Sequence, residues 1–469
     1  MTKTGLFKWL DGQEGMLREV ALEIWRNPET GFQEKHASHL QADVLRKAGF
    51  RVQHGLKDMP TVVIAEYGAG RPIVGIAGEY DALPQLSQEV CATRKPVVEN
   101  APGHGCGHNL LGTAGVGAAL AIKQAMDEGR LKGTIRYYGC PAEETLAGKV
   151  FMAREGVFDD LDACLSWHPA SMNTVWGCSF LAMNSVAFKF SGVAAHAAAA
   201  PELGRSALDG VELMNVGANY MREHINEKAR VHYSITNGGG APNIVPAEAS
   251  VWYYMRAPKR SQVDDIYSWL QDIARGAALM TSTKVQWDFL AGCYDVLANA
   301  TLGEVLLRNM REAGGPRFRD EDAALADALA GTFAPGQKEK VMKTYFAPEE
   351  VVKLTLHDGV VKVNDESEVM AGSTDVGDVS WIVPFAQFTA ATWPVGTPAH
   401  SWQATASSGS GIGLAAMHFA AKSLAGAVFD LLSDEGATLA KAKEEFERKS
   451  AGQRYKSPLP EGAKPPGNN

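Results

Sequence analysis

Pro102-Gly103-His104-Gly105-Cys106-Gly107-His108-Asn109-Leu110-Leu111 is the stretch on which the reading of this chain turns. Cys106 and His108 stand two positions apart in a glycine-rich loop that opens onto an apolar, alanine-rich run. Thiolate and imidazole are good ligands for a divalent first-row metal, and glycines at 103, 105 and 107 let the backbone fold closely around an ion. A buried thiol beside a surface histidine would explain an isolated Cys-x-His. Further donors at chemically sensible places favour the metal: the adjacent carboxylates Glu143 and Glu144, then His168, and far downstream His400.

The flanking sequence shows how such distant residues could meet. Leu17, Val20, Ala21, Ile24 and Trp25 form the stripe of an amphipathic helix ending near Asn27-Pro28, and a second helix is expected over 34–47. Strands are expected at 61–66, 73–77, 134–138 and 163–167, with a helix over 110–126. Strands alternating with helices argue for an α/β fold with a mostly parallel sheet flanked by helices. Glu79 and Asp81 follow one expected strand, Glu143 and Glu144 another, and His168 directly follows a third. In open α/β sheets the ligand site forms outside the carboxyl ends of the strands, which gathers these groups into one crevice.

From about residue 185 the rhythm becomes β-α-β-β-α-β, over 185–190, 206–221, 231–236, 249–256, 261–280 and 284–289. That order is the signature of an inserted ferredoxin-like α+β domain. The expected organisation is therefore a catalytic domain in two parts, 1–183 and 295–450, an inserted domain over 184–294, and a flexible tail over 451–469. In the second part, 372–378 is a polar loop, 388–393 a strand with His400 in the loop after it, and 412–432 a long alanine-rich helix. Segment 333–370 carries no clear pattern.

Composition narrows the function classes. A chain of 469 residues suggests two or three domains, and 45% hydrophobic with 21% charged residues is ordinary for a soluble globular protein. A net charge of -9 offers no basic footprint for nucleic acid and no attraction to an anionic membrane. No apolar run is expected to reach the roughly 18 residues that span a bilayer. The first residues lack a signal-peptide core, and six cysteines without regular spacing do not make a disulfide framework; both point to the cytoplasm.

Neighbouring glutamates are usually a solvated patch, but Glu143 and Glu144 emerge from the buried run Tyr137-Tyr138-Gly139-Cys140-Pro141-Ala142. Like charges side by side in a cleft must be compensated, and metal cations do this well. If one carboxylate binds metal, its free neighbour can take a proton from water there, the division of labour that metal-assisted hydrolysis requires. With Cys106, His108, His168 and His400 the donors suffice for two divalent ions, and the set admits either zinc or manganese. In the inserted domain, His196 and Asn243 could hydrogen-bond a developing oxyanion, and Arg256 could clamp a substrate carboxylate. A surface histidine, a turn asparagine and an ion pair are the plainer readings of these three.

The chain resembles the two-metal aminoacylase and carboxypeptidase-like hydrolases, nearest the branch of the aminobenzoyl-glutamate hydrolase B subunit, with auxin-conjugate amidohydrolases as cousins. The resemblance runs from 22–29 to 396–403 and is carried by His104-Gly105-Cys106-Gly107-His108-Asn109-Leu110-Leu111-Gly112, Pro141-Ala142-Glu143-Glu144 and Gly372-Ser373-Thr374-Asp375-Val376-Gly377-Asp378-Val379-Ser380. It implies a two-metal site of Cys106, His108, Glu144, His168 and His400, with Cys106 bridging and Glu143 as general base. It further implies that the inserted domain is a dimerisation lid whose His196 reaches the partner's active site, with Asn243 and Arg256 near the substrate's carbonyl and terminal carboxylate. Carboxypeptidase-type relatives carry His-x-Asp where Glu79-Tyr80-Asp81 stands here, so Asp81 is expected to orient a ligand and Glu79 not to be one. Asn109, where many auxin-branch relatives have aspartate, favours the aminobenzoyl-glutamate branch. The expectation is a dimeric amidohydrolase that splits an amide between an acyl group, aromatic by preference, and an amino acid. The alternatives are hydrolysis of β-alanyl dipeptides, auxin conjugates or an aromatic amine, or a metal-stabilised regulatory subunit of a related hydrolase.

Overall fold

The fold is taken from a computed structural model that describes residues 2–465. Helix α1 (Lys3–Arg26) buries the stripe Leu6, Leu10, Leu17, Ala21 and Ile24, and Thr2 caps it by accepting from the Gly5 N–H at 3.2 Å. There follow α2 (Lys35–Lys47), β1 (Arg51–Leu56), β2 (Met59–Ala69), β3 (Ile73–Glu79), α3 (His108–Asp127), β4 (Gly133–Cys140), α4 (Gly148–Arg154), β5 (Ala163–Ala170), β6 (Thr174–Trp176) and β7 (Ser179–Phe180). The chain then enters β8 (Ala182–Ser191), α5 (Ala207–Met221), β9 (Arg230–Asn237), β10 (Glu248–Ala257), α6 (Arg260–Thr281) and β11 (Lys284–Cys293). It returns through α7 (Ala300–Ala313), α8 (Asp320–Ala330), α9 (Gln337–Thr344), α10 (Glu349–Val352), β12 (Val369–Met370), α11 (Val376–Ser380), β13 (Phe385–Ala391), α12 (Trp402–Ser408), α13 (Gly411–Ser433) and α14 (Ala437–Ser450).

The larger sheet has the order β1-β2-β4-β3-β5-β13-β6. Its centre, β4-β3-β5-β13, is parallel, while β2 and β6 flank it antiparallel and β1 closes beside β2. One face packs against α1, α3, α7 and α13 in a continuous apolar core. Helix α3 lies unusually close to β3 and β4: a Cβ on Gly112 would stand 2.4 Å from the Glu79 carbonyl oxygen, and one on Gly115 would stand 2.8 Å from the Tyr137 ring. Only glycine permits that approach, and it brings the first residue of α3, His108, to the end of β3.

The second sheet, order β11-β8-β10-β9, is antiparallel throughout, with α5 and α6 on one face sharing a core of their own. This is the ferredoxin-like pattern expected from the β-α-β-β-α-β run.

Three expectations need correction. His168 lies inside β5, paired with Thr389 of β13, and does not follow the strand. The segment expected to be a flexible tail is laid against the body: Tyr455 donates to Asp378 Oδ1 at 2.8 Å, Arg154 donates to the Ala463 carbonyl at 2.7 Å, and Leu459 is buried. Its aromatic and apolar residues outweigh its Pro, Gly and Lys content. Residues 466–469 lie outside the described chain. Finally, α13 has the length and apolarity to cross a membrane, yet 78% of its most apolar window is buried inside the protein, as a core helix requires.

The N-terminus of α7 is held by a carboxylate from α14. Glu445 accepts from the N–H groups of Ala300 (2.7 Å) and Thr301 (2.8 Å), from the Thr301 hydroxyl (2.7 Å), and pairs with Lys449 at 2.7 Å. Burial opposes the charge, but the Lys449 and Thr301 hydrogen bonds win and bring its pKa from 4.5 down to about 2. Its contribution is therefore complete above pH 4.5 and fades as pH falls toward about 2. Glu445→Gln should lower stability by about 1–2 kcal/mol at pH 7. In urea unfolding the gap between wild type and variant should narrow between pH 5 and about pH 3; a gap that holds constant over that range contradicts this role.

Candidate metal centre

The carboxyl ends of the four parallel strands supply the site. Strand β3 ends on Glu79, with Asp81 two residues on; β4 ends at Cys140, just before the short turn Glu143–Thr145; β5 carries His168; β13 leads to His400. Ala142 and His400 both take left-handed backbone conformations, with φ of 55° and 58°, so the turns that aim Glu143 and His400 are tightly specified. The His400 N–H donates to the Gly105 carbonyl at 3.0 Å, tying its loop to the Cys106 loop.

Five donors converge. Cys106 Sγ is 3.4 Å from His168 Nε2, His108 Nε2 is 4.0 Å from Glu144 Oε1, and His400 Nε2 is 3.3 Å from Glu144 Oε2. Ligand atoms of Cys106, His108 and His168 lie within 4.8 Å of one another, and so do those of Cys106, Glu144 and His400. The two groups share Cys106. A third group within the same limit is Glu79, His108 and Glu143.

Hydrogen bonds on the far side set each imidazole's tautomer. His108 Nδ1–H donates to Asp81 Oδ1 at 2.8 Å, and His168 Nδ1–H donates to the Pro169 carbonyl at 2.7 Å, which leaves both Nε2 lone pairs facing the cluster. The second Asp81 oxygen accepts from the Glu144 N–H at 2.9 Å, so one buried carboxylate fixes two donors.

The residues present fit a bound cation. His108 Nε2, Glu144 Oε1 and Glu79 Oε2 are buried acceptors with no hydrogen-bond partner. Burial drives the Glu143 pKa well above the usual carboxylate range, and the charges of Glu79, Asp375 and Glu144 add to it. Burial likewise lifts Glu144 to about 7 against the pull of His108, and raises the Cys106 thiol. Burial and the neighbouring His108 charge lower His168 to about 4. Glu143, Glu144 and the Cys106 thiol are pushed toward neutrality, while against burial the charges of Cys106 and Asp81 hold the pKa of His108 well above the usual imidazole range, so the cluster is one that positive charge stabilises.

The inserted-domain residues do not join this cluster in the single chain. His196 and Asn243 are exposed, on two segments paired by the Ala197 N–H to the Asn243 carbonyl at 2.9 Å. Arg256 bonds Ser373 Oγ at 3.0 Å, and its Nε is buried without a partner. Sequence reasoning missed three neighbours of the site. Lys149, fully buried, pairs with Glu79 and Asp375, and Trp176 stacks on His168 at 5.4 Å between ring centroids. Asp375 sits in a quoted motif without an assigned role, and Lys149, five residues after Glu144, precedes the apolar run Val150-Phe151-Met152-Ala153; those were the available signals.

The profile of peptidase family M20/M25/M40 matches residues 75–345. The chain belongs to that family. It is 41% identical to the B subunit of p-aminobenzoyl-glutamate hydrolase from Escherichia coli K12 over 458 residues, 95% of each chain. The fold is shared with an aminobenzoyl-glutamate utilization protein from Klebsiella pneumoniae (TM-score 0.63, 18% identity, 91% of this chain and 98% of that one). It is shared too with a dinuclear metal-binding M20 peptidase from Bacillus subtilis (TM-score 0.55, 17% identity, 90% and 99%). As a member of the M20 group the protein is a metal-dependent hydrolase of amide bonds.

Because Asp81 orients two donors at once, Asp81→Ala should weaken divalent-metal affinity about 10- to 100-fold. Competition with a chromogenic chelator measures this; an unchanged affinity would contradict the role given to Asp81.

Proposed function

We propose that this protein is an amidohydrolase that releases an amino acid from an aromatic acyl conjugate, with p-aminobenzoyl-glutamate as the favoured substrate. The observation that carries it is the convergence of Cys106, His108, Glu144, His168 and His400 with Glu143 adjacent. The substrate class is supported by the 41% identity to a relative named for that substrate. Two divalent cations bound by these five residues, zinc or manganese, would polarise the scissile carbonyl and acidify the attacking water. Cys106, common to both donor groups, is the bridging ligand in this reading.

Glu143, beside the ligand set and buried, takes the proton from water and later hands it to the leaving amine. Arg256, with its unpartnered Nε, binds the substrate's carboxylate. His196 and Asn243, side by side on the inserted domain, stabilise the oxyanion in the partner of a homodimer. The Escherichia coli relatives include both an A and a B polypeptide of that hydrolase, so a related second chain is the other arrangement to consider. Six free cysteines support a cytoplasmic location.

Glu143→Gln should keep its metal while losing activity by about a thousandfold or more. Hydrolysis of p-aminobenzoyl-glutamate by the purified chain, with metal content measured alongside, tests both parts. Near-normal turnover by the variant removes Glu143 from the role of base. Wild-type turnover only after a second protein is added would favour the regulatory-subunit reading.

A further inference from the structure

Three charged side chains that the proposed reaction does not use are buried behind the donor cluster. The Lys149 ammonium lies 2.6 Å from Glu79 Oε1 and 2.6 Å from Asp375 Oδ1, and the Lys149 backbone N–H donates to Asp375 Oδ2 at 2.8 Å. No side chain of the three is more than 3% exposed. They come from the end of β3, the first turn of α4 and the residue capping α11. A buried ionic trio is seldom more stable than well-packed apolar residues of the same volume, so stability alone does not account for it.

The geometry gives it a task. Glu79 Oε2 has no hydrogen bond and lies 3.3 Å from His108 Nε2, and Glu79, His108 and Glu143 present atoms close enough to hold a cation themselves. An unrestrained Glu79 would therefore compete for an ion and draw it away from Cys106. Lys149 engages one oxygen of Glu79, while Asp375 grips Lys149 through both its ammonium and its backbone N–H.

We propose that Lys149, held by Asp375, is a positioning residue that keeps Glu79 from ligating, so that cations settle among Cys106, His108, Glu144, His168 and His400. This rests on the metal-site reading under Proposed function. One cation shared by two carboxylates leaves a single net negative charge beside the site. Asp375→Asn removes that charge and leaves a neutral Lys149–Glu79 pair, so divalent affinity falls. Lys149→Met leaves two uncompensated carboxylates and releases Glu79, so affinity rises. A role confined to packing would move both variants in the same direction.

The test titrates metal-stripped wild type and variants with Zn²⁺ alone, reading affinity by chelator competition and stoichiometry by elemental analysis. The expected result is two ions in wild type, affinity at least about tenfold weaker in Asp375→Asn and at least about tenfold tighter in Lys149→Met. Glu79→Gln should still hold two ions. Weakening in both charge variants, or loss of one ion per chain in Glu79→Gln, would overturn the proposal. If Lys149→Met fails to fold, Asp375→Asn decides: an unchanged affinity overturns the proposal. Wild type that binds no zinc is a different failure, because it sinks the metal-site reading itself.

Discussion

Buried polar atoms without hydrogen-bond partners are the constraint on which this structure turns. His108 Nε2, Glu144 Oε1 and Glu79 Oε2 have no hydrogen-bond partner, beside a buried thiol and two further imidazoles. Each unpaired buried acceptor costs about 1–3 kcal/mol, more when charged. The chain reinforces the arrangement: Asp81 and the Pro169 carbonyl accept hydrogen bonds from Nδ1 of His108 and His168, which turns the opposite nitrogens toward the cluster. A bound cation is the partner that satisfies this electrostatic pattern.

The rest of the larger domain serves that convergence. Four parallel strands, β4-β3-β5-β13, bring residues spread from Glu79 to His400 to one edge, and the glycines of α3 let His108 reach the end of β3. The carbonyl of Gly105 then anchors the His400 loop. Charge is layered behind the donors, with Glu143 next to the ligand set and the Lys149 trio deeper still. His196 and Asn243 stand exposed on loops of the inserted domain, outside its strands.

How much of this was legible in the sequence follows from the range of each signal. Helical stripes and buried strands are local, so α3, β3, β4 and the six elements of the inserted domain were found close to their observed bounds, while of α1 only the C-terminal half from Leu17 was read. The donors were legible because Cys106 and His108 stand in a glycine-rich loop and Glu143 and Glu144 follow the buried run of β4. Lys149 was not, since a buried lysine has the same letter as a surface one and only the fold supplies its partners. Edge strands β1 and β6 are short or half exposed and lack a strong alternation, and α9 and α10 in segment 333–370 are brief helices whose burial depends on distant neighbours. Asn109, used to choose between branches, is fully buried and bonds the Ala21 and Ser408 carbonyls, which makes its identity a packing matter here.

The most direct measurement of the central claim is an anomalous difference map from crystals grown with zinc or manganese. Two peaks per chain are expected, one among Cys106, His108 and His168 and the other among Cys106, Glu144 and His400. A map with no peak in that cluster, or with its only peak between Glu79 and Glu143, would contradict the account.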